Sequence, residues 1–337
     1  MTSSPARIAP GLIDPRAAQR QFERRAASFD QHDFLHREIE SRLLERLEPL
    51  RIDPARAIDL GCGTGHALPA LADRYPRTDW VGTDLAHGML RGAGARLQAA
   101  AGIGGTVAKL LGRVGMGGIA PRVTGSFGRA GASGLARADL VQADFARLPF
   151  ADDSFDLLWS NLALHFAPDL GSAVAEWSRV AKPGAALMFS CFGPDSLREL
   201  RALWPADAPR AFIPFADMHD LGDLMTGAGF VDPVMGMERL TLTYTEPTRL
   251  LADLRALTGN PLSARAPRLQ SRDLRQRFLA ALDGARNRDG LIAVTLEIVY
   301  GHAWAGQPRQ HREALPGGGE IATVPVSSLK RATKPKG

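Results

Sequence analysis

The sequence predicts an α/β fold, a mostly parallel sheet with helices on both faces. Three observations predict it. Short apolar runs alternate with helical patterns from residue 56 to residue 191. The first run, within "AIDLGCGTGHALPAL" (57–71), ends on Asp59 and is followed by Gly61, Gly63 and Gly65. An acid also closes the second run (Asp84) and follows the third (Asp144). Strands that alternate with helices give a parallel sheet covered on both sides, with ligands at the carboxyl ends of the strands.

The elements follow in order. Residues 15–49 read as a helical arm, because Phe22, Ala26 and Phe29, then Leu35, Ile39, Leu43, Leu44 and Leu47, recur at spacings of three and four. Strand signals lie at 56–60, 79–84, 138–143, 155–160 and 185–191, and helical patterns at 65–74, 86–98 and 171–181. The glycine-rich stretch 101–135 breaks this rhythm and reads as a mobile surface insertion. Helices are expected at 194–204, 216–228, 247–257 and 270–287, strands at 231–245 and 293–304. Residues 1–14 and 306–337 read as disordered ends. One domain over 15–305 is therefore expected, with the arm and helical elements within 192–290 forming a lid over the carboxyl edge. Oligomeric state leaves no mark in the sequence.

Composition sets the boundaries. The chain has 337 residues, ordinary apolar and charged fractions and a net charge of +5. A basic balance suits an acidic partner, but no Lys/Arg cluster is interleaved with aromatics as a nucleic-acid groove requires. Cys62 and Cys191 are the only cysteines, so there is no disulfide framework, and a reducing cytoplasm is the natural home. No apolar run approaches the ~20 residues that span a bilayer. The N-terminal stretch lacks the apolar core of a secretory signal, and Asp14 and its prolines count against a transit peptide.

The glycine turn excludes two common ligands. A dinucleotide fingerprint needs its third glycine where His66 stands, and no Gly-Lys-Ser/Thr follows for a nucleotide-phosphate loop. A ligand without phosphates fits better. Asp84 is placed to accept both hydroxyls of a ribose, Asp144 to meet an exocyclic amine, and Asp59 to hold an ammonium. Together they suit a cationic adenosine carrying an amino acid, S-adenosyl-L-methionine.

"DLGCGTG", "GTDLAHGML", "QADFARLPFADDSFDLLWSNLALH" and "EWSRVAKPGAAL" resemble the successive motifs of the class I S-adenosylmethionine-dependent methyltransferases. The resemblance implies a doubly wound, Rossmann-like sheet of seven strands. It implies that Asp59, Gly61, Gly63 and Gly65 form the methionine-side loop. Asp84 then holds the ribose, Leu85 and Met89 flank the adenine, Asp144 and Phe145 bind its amine and face, and Asn161 closes the pocket. With one strand between them in that sheet, Cys62 and Cys191 lie about 10 Å apart, too far for a disulfide.

The acceptor comes from the remainder. "FERRAASFDQHDFLHREI", "FSCFGPDSLRELRALW", "FADMHDLGDLMTGAGF" and "TLEIVYGHAW" are similar to the malonyl-acyl carrier protein O-methyltransferases of biotin synthesis. That likeness implies a carboxylate acceptor on a small acidic carrier protein. A carboxylate needs no base at neutral pH but does need a cation, and Arg198 and Arg201 are the expected ones, with Phe22 from the arm and His165 as a positioning residue. No metal site is expected. The same second-half pieces also resemble a complex I assembly factor that hydroxylates an arginine on a methyltransferase fold. Methylation of another small molecule is the third reading; the Asn/Asp-Pro-Pro-Tyr/Phe signature of nucleic-acid enzymes is absent from "SNLAL".

Overall fold

The computed structural model describes residues 12–100, 138–209, 211–257, 261–262 and 272–306, with short pairs at 313–314 and 320–321. The stretch 101–135 and nearly all of both ends, for which the sequence suggested an insertion and disorder, lie outside the described residues. The body of the sheet is β1 (Arg56–Leu60), β2 (Asp79–Asp84), β3 (Ala138–Gln142), β4 (Phe155–Asn161) and β5 (Ala181–Phe192). β6 (Phe230–Tyr244) and β7 (Ile292–Ala305) complete it in the order β3-β2-β1-β4-β5-β7-β6, with β7 antiparallel to both neighbours. All seven strands were legible in the sequence. The order reverses between β1 and β4, and a crevice opens at their carboxyl ends, where such sheets bind ligands.

Both faces of the sheet are dry. Along β4, Phe155 and Leu158 point into one core, Leu157 and Trp159 into the other, and all four are fully buried. α2 (Phe34–Leu47), α3 (Ala67–Arg74) and α4 (His87–Ala100) cover the first face. α5 (Leu170–Val180) covers the second with Ala173, Val174, Trp177 and Val180. Its start is fixed by Asp169, whose carboxylate accepts from the Gly171 and Ser172 amides. Cys62 and Cys191 are free and buried, with β4 between their strands.

Two expectations change. The arm is not one helix but two: α1 (Pro15–Arg25) and α2, with a 3-10 turn at Phe29–Gln31 between them. Asp30 in that turn accepts from Thr64 Oγ1 at 2.6 Å and pairs with Arg96 at 2.5 Å. This pins the break onto the glycine loop. The segment 192–290 is likewise not one cap of helices over the edge. β6 runs in register with β7 from Val234 to Tyr244 and belongs to the sheet. α7 (Met218–Gly227) buries Leu221 and Met225 in the same core as α5, on the side away from the arm. Only α6 (Arg198–Leu203), α8 (Pro247–Leu257) and α9 (Arg272–Gly284) join the arm's core, through Leu200, Leu250, Phe278 and Leu282. No helix among the described residues is long and apolar enough to cross a membrane.

The arm is held by the stripe Leu35, Ile39, Leu43 and Leu47, each at most 1% exposed. Leu43→Ala is expected to cost about 2–5 kcal/mol, read as a lower urea midpoint. An unchanged midpoint would show that the arm is not packed on the sheet.

Candidate functional site

The strand ends, the glycine loop and the arm enclose a cavity of about 1020 Å³, counted to its open mouth. Asp59, Gly61 and Gly63 come from β1 and its turn, Asp84, Leu85 and Met89 from the end of β2 and α4. Asp144 and Phe145 follow β3, and Asn161, Leu162 and Ala163 follow β4. Phe22, Phe29, His36 and Glu40 close it from the arm. Five acids line this space (Asp33, Glu40, Asp59, Asp84, Asp144), and none of the described lining residues is lysine or arginine.

The turn is shaped to let a ligand close to the backbone. Gly61 has φ +76°, and a Cβ there would lie 2.5 Å from the Ala163 Cβ. Only glycine fits both the conformation and the space. Asp84 is gripped from two sides: its carboxylate accepts from the Gly63 amide at 3.0 Å and the Ala86 amide at 2.8 Å. Those bonds fix it against the loop and favour its ionised form. Burial outweighs them and raises its pKa to about 6, with Glu23 adding repulsion. Asp59, 2% exposed, is pushed well above the usual carboxylate range by burial, then by Glu40 and Asp84. Asp144 forms a tight turn by accepting from the Ala146 amide at 2.9 Å. Phe145 is held by its carbonyl, which accepts from Trp177 Nε1 at 3.1 Å, and by an edge-on contact with that indole.

The arm is tied to these strand ends. Asn161 donates from Nδ2 to the His36 carbonyl at 3.0 Å and accepts from Ser190 Oγ at 2.7 Å. Gln19 donates to the Leu85 carbonyl at 3.0 Å, and Glu40 pairs with His66 Nδ1 at 2.7 Å. His36 has no partner for Nδ1, and burial lowers its pKa to about 4. It is neutral at pH 7.

A model of the methyltransferase domain family matches residues 29–232. The chain is 40% identical over 303 residues to the malonyl-[acyl-carrier protein] O-methyltransferase of Halorhodospira halophila, covering 88% of this chain and 91% of that one. It is 39% identical to the protein of the same name from a Methylovorus species, covering 91% and 93%. The chain belongs to the methyltransferase family. The crystal structure of the YcgJ protein of Bacillus subtilis has the same fold, at a TM-score of 0.50 and 16% identity over 79% of this chain and 98% of that one.

In this methyltransferase the cavity gathers Phe22, Asp59, Gly61, Gly63, Asp84, Leu85, Met89, Asp144, Phe145 and Asn161. Four expected residues lie elsewhere. Gly65 (φ +70°) brings α4 onto the turn: a Cβ there would sit 2.8 Å from the Ala93 Cβ. Arg198 pairs with Asp195 at 3.6 Å and with Glu199 at 3.2 Å. Arg201 donates to the Pro194 carbonyl and does not line the cavity. Both guanidiniums are thus taken up within their own segment, a competition that helical spacing does not reveal. His165 lies behind the wall, among Phe166, Phe192 and Phe215, and lines a smaller void. Glu40, His36, His66, Thr64 and Phe29 also line the cavity and were not singled out from sequence. For His36 and Glu40 the only signal was the arm's periodicity, which marks the buried stripe and not its polar flank; Thr64 and His66 stand in the glycine turn, where the glycines alone were read.

His165 is 7% exposed, neither ring nitrogen has a partner, and burial lowers its pKa to about 3, with His36 adding to the shift. The folded state therefore holds it neutral, whereas the unfolded chain takes a proton below its ordinary value of 6.5. Stability from this group is present above that value and falls as pH drops. His165→Phe is expected to remove the term, sparing about 2 kcal/mol of the loss between pH 7 and pH 5. Denaturant titrations at the two pH values check it; equal losses in both proteins would contradict the assignment.

Proposed function

We propose that this enzyme transfers the methyl group of S-adenosyl-L-methionine to the free carboxylate of malonyl-acyl carrier protein, giving the methyl ester that starts pimeloyl synthesis for biotin. The lining fits the donor. A cavity with five acids and no lysine or arginine among its described walls attracts a ligand bearing an ammonium and a sulfonium. Asp59 and Glu40 receive the ammonium, Asp84 accepts from the ribose hydroxyls, and Gly61 lets the amino-acid part approach the backbone. Asp144 accepts from the adenine amine, Phe145, Leu85 and Met89 flank the ring, and Asn161 keeps the arm closed on it.

When bound, the cofactor supplies a methyl on sulfur: a carboxylate oxygen takes the methyl carbon, the carbon–sulfur electron pair returns to sulfur, and no proton moves. The protein then has to align two atoms and keep water out. Phe22 and Phe166, packed edge to face at 5.0 Å between ring centres, give the mouth an apolar wall against the acceptor. Neutral His36 is compatible with this chemistry, since an ionised carboxylate needs no base.

The observation that carries the acceptor is where the likeness extends. The family model stops at residue 232, whereas the similarity to malonyl-[acyl-carrier protein] O-methyltransferases covers 88% of the chain, so elements beyond the cofactor half are shared as well. A small acidic carrier also suits a chain of net charge +5. The two free cysteines suit a reducing compartment, and we place the enzyme in the cytoplasm.

Labelled S-adenosylmethionine with malonyl-loaded carrier is expected to give a base-labile ester on the malonyl group and none on an acetyl-loaded carrier. Label on both carriers, or on neither, would refute the acceptor. Gly61→Ala is expected to weaken cofactor binding roughly tenfold or more while the protein stays folded, measured by calorimetry; undiminished binding would remove the loop from the site.

A further inference from the structure

A carboxylate acceptor needs a cation, and Arg198 and Arg201 are engaged within their own segment. Arg25 is not among the residues that line the cavity either, but it extends the helical face that does. Pro15, Ala18 and Phe22 of α1 line the cavity, and Arg25 stands three residues beyond Phe22 on the same helical face. Its Nη1 is buried and has no hydrogen-bond partner among the described residues. Among the described residues no carboxylate offsets it: the charges acting on it are Arg24 on its own helix and Arg255 on α8. Burial first, and then these two like charges, lower its pKa to about 10. A cation so placed destabilises the empty site and becomes favourable once an anion joins it.

We propose that Arg25, flanked by Arg24 and Arg255, holds the free carboxylate of the carrier-bound acceptor and thereby distinguishes acid from ester. The inference rests on the function proposed above. A guanidinium matches a carboxylate with two parallel N–H donors, and charge assistance strengthens both bonds. Methyl transfer removes the negative charge that Arg25 holds. The contact that binds the substrate is therefore weakened in the product, which favours its release. The neighbouring arginines deepen the preference for an anion, and a neutral ester gains nothing from them.

The test compares affinities of malonyl-loaded carrier and its methyl-ester form, with S-adenosylhomocysteine present, for the wild type and for Arg25→Met and Arg25→Lys. The wild type is expected to bind the acid roughly ten- to hundredfold more tightly than the ester. Arg25→Met should bring that ratio near one with cofactor affinity unchanged, and Arg25→Lys should lie between. A merely structural role would not move the ratio. A ratio preserved in Arg25→Met overturns the proposal. Equal loss of acid and ester also overturns it, because the cluster would then meet the carrier itself. If Arg25→Met does not fold, Arg25→Gln carries the same comparison. Methyl transfer by the wild type is measured alongside: transfer with an unchanged ratio discards only the Arg25 site, and no transfer discards the function beneath it.

Discussion

Concentrated negative charge in a single cavity is the constraint on which the rest of this structure depends. Asp59, Glu40 and Asp84 face one space, and the first two are almost wholly buried. Two backbone amides aimed at the Asp84 carboxylate offset part of the cost of ionising it there. With them included, its raised pKa still represents about 2–3 kcal/mol. The remainder is available to a cationic ligand, which finds a site already short of positive charge. Electrostatic preorganisation of this kind is set by the fold, before any substrate arrives.

The fold makes such crowding possible because three parallel strands end at the same edge. β1, β2 and β3 are adjacent, and each delivers an acid within two residues of its last one. Positive φ at Gly61 turns the chain away at the point where a side chain would meet Ala163. The arm then encloses what the edge presents. Asp30 clamps the glycine loop, Asn161 clamps α2, and Gln19 clamps the turn after β2. Three separate hydrogen bonds thus tie the arm to the ends of β1, β4 and β2.

Sequence reading found the cavity's lining at the strand ends and missed what depends on tertiary competition. Asp59 and Asp84 were legible because an acid after an apolar run, followed by glycine or a helical pattern, has few other reasons to stand there, and Asp144 because it follows the next apolar run in the same way. Gly65 sits in the same motif, yet its task is to admit α4, a packing role that motif spacing cannot separate from ligand approach. Arg198 and Arg201 were chosen for charge and helical spacing, but Asp195, Glu199 and the Pro194 carbonyl claim them first. Arg25 drew no notice in the sequence, because the unpartnered state of its Nη1 appears only in three dimensions. His36 and Glu40 were hidden for the same reason, being polar residues on the flank of an apolar stripe.

The most direct test of the electrostatic account is the number of protons released when S-adenosylmethionine binds, measured by calorimetry in buffers of different ionisation enthalpy. Asp84 is raised to about 6 and Asp59 is raised as well, so the empty protein holds part of a proton there in mildly acidic solution. A cationic ligand favours their ionised forms and expels it. From Asp84 alone the account predicts release of roughly half a proton at pH 6, a contribution that fades towards none at pH 8. Binding without proton release at pH 6, or with uptake, would contradict it.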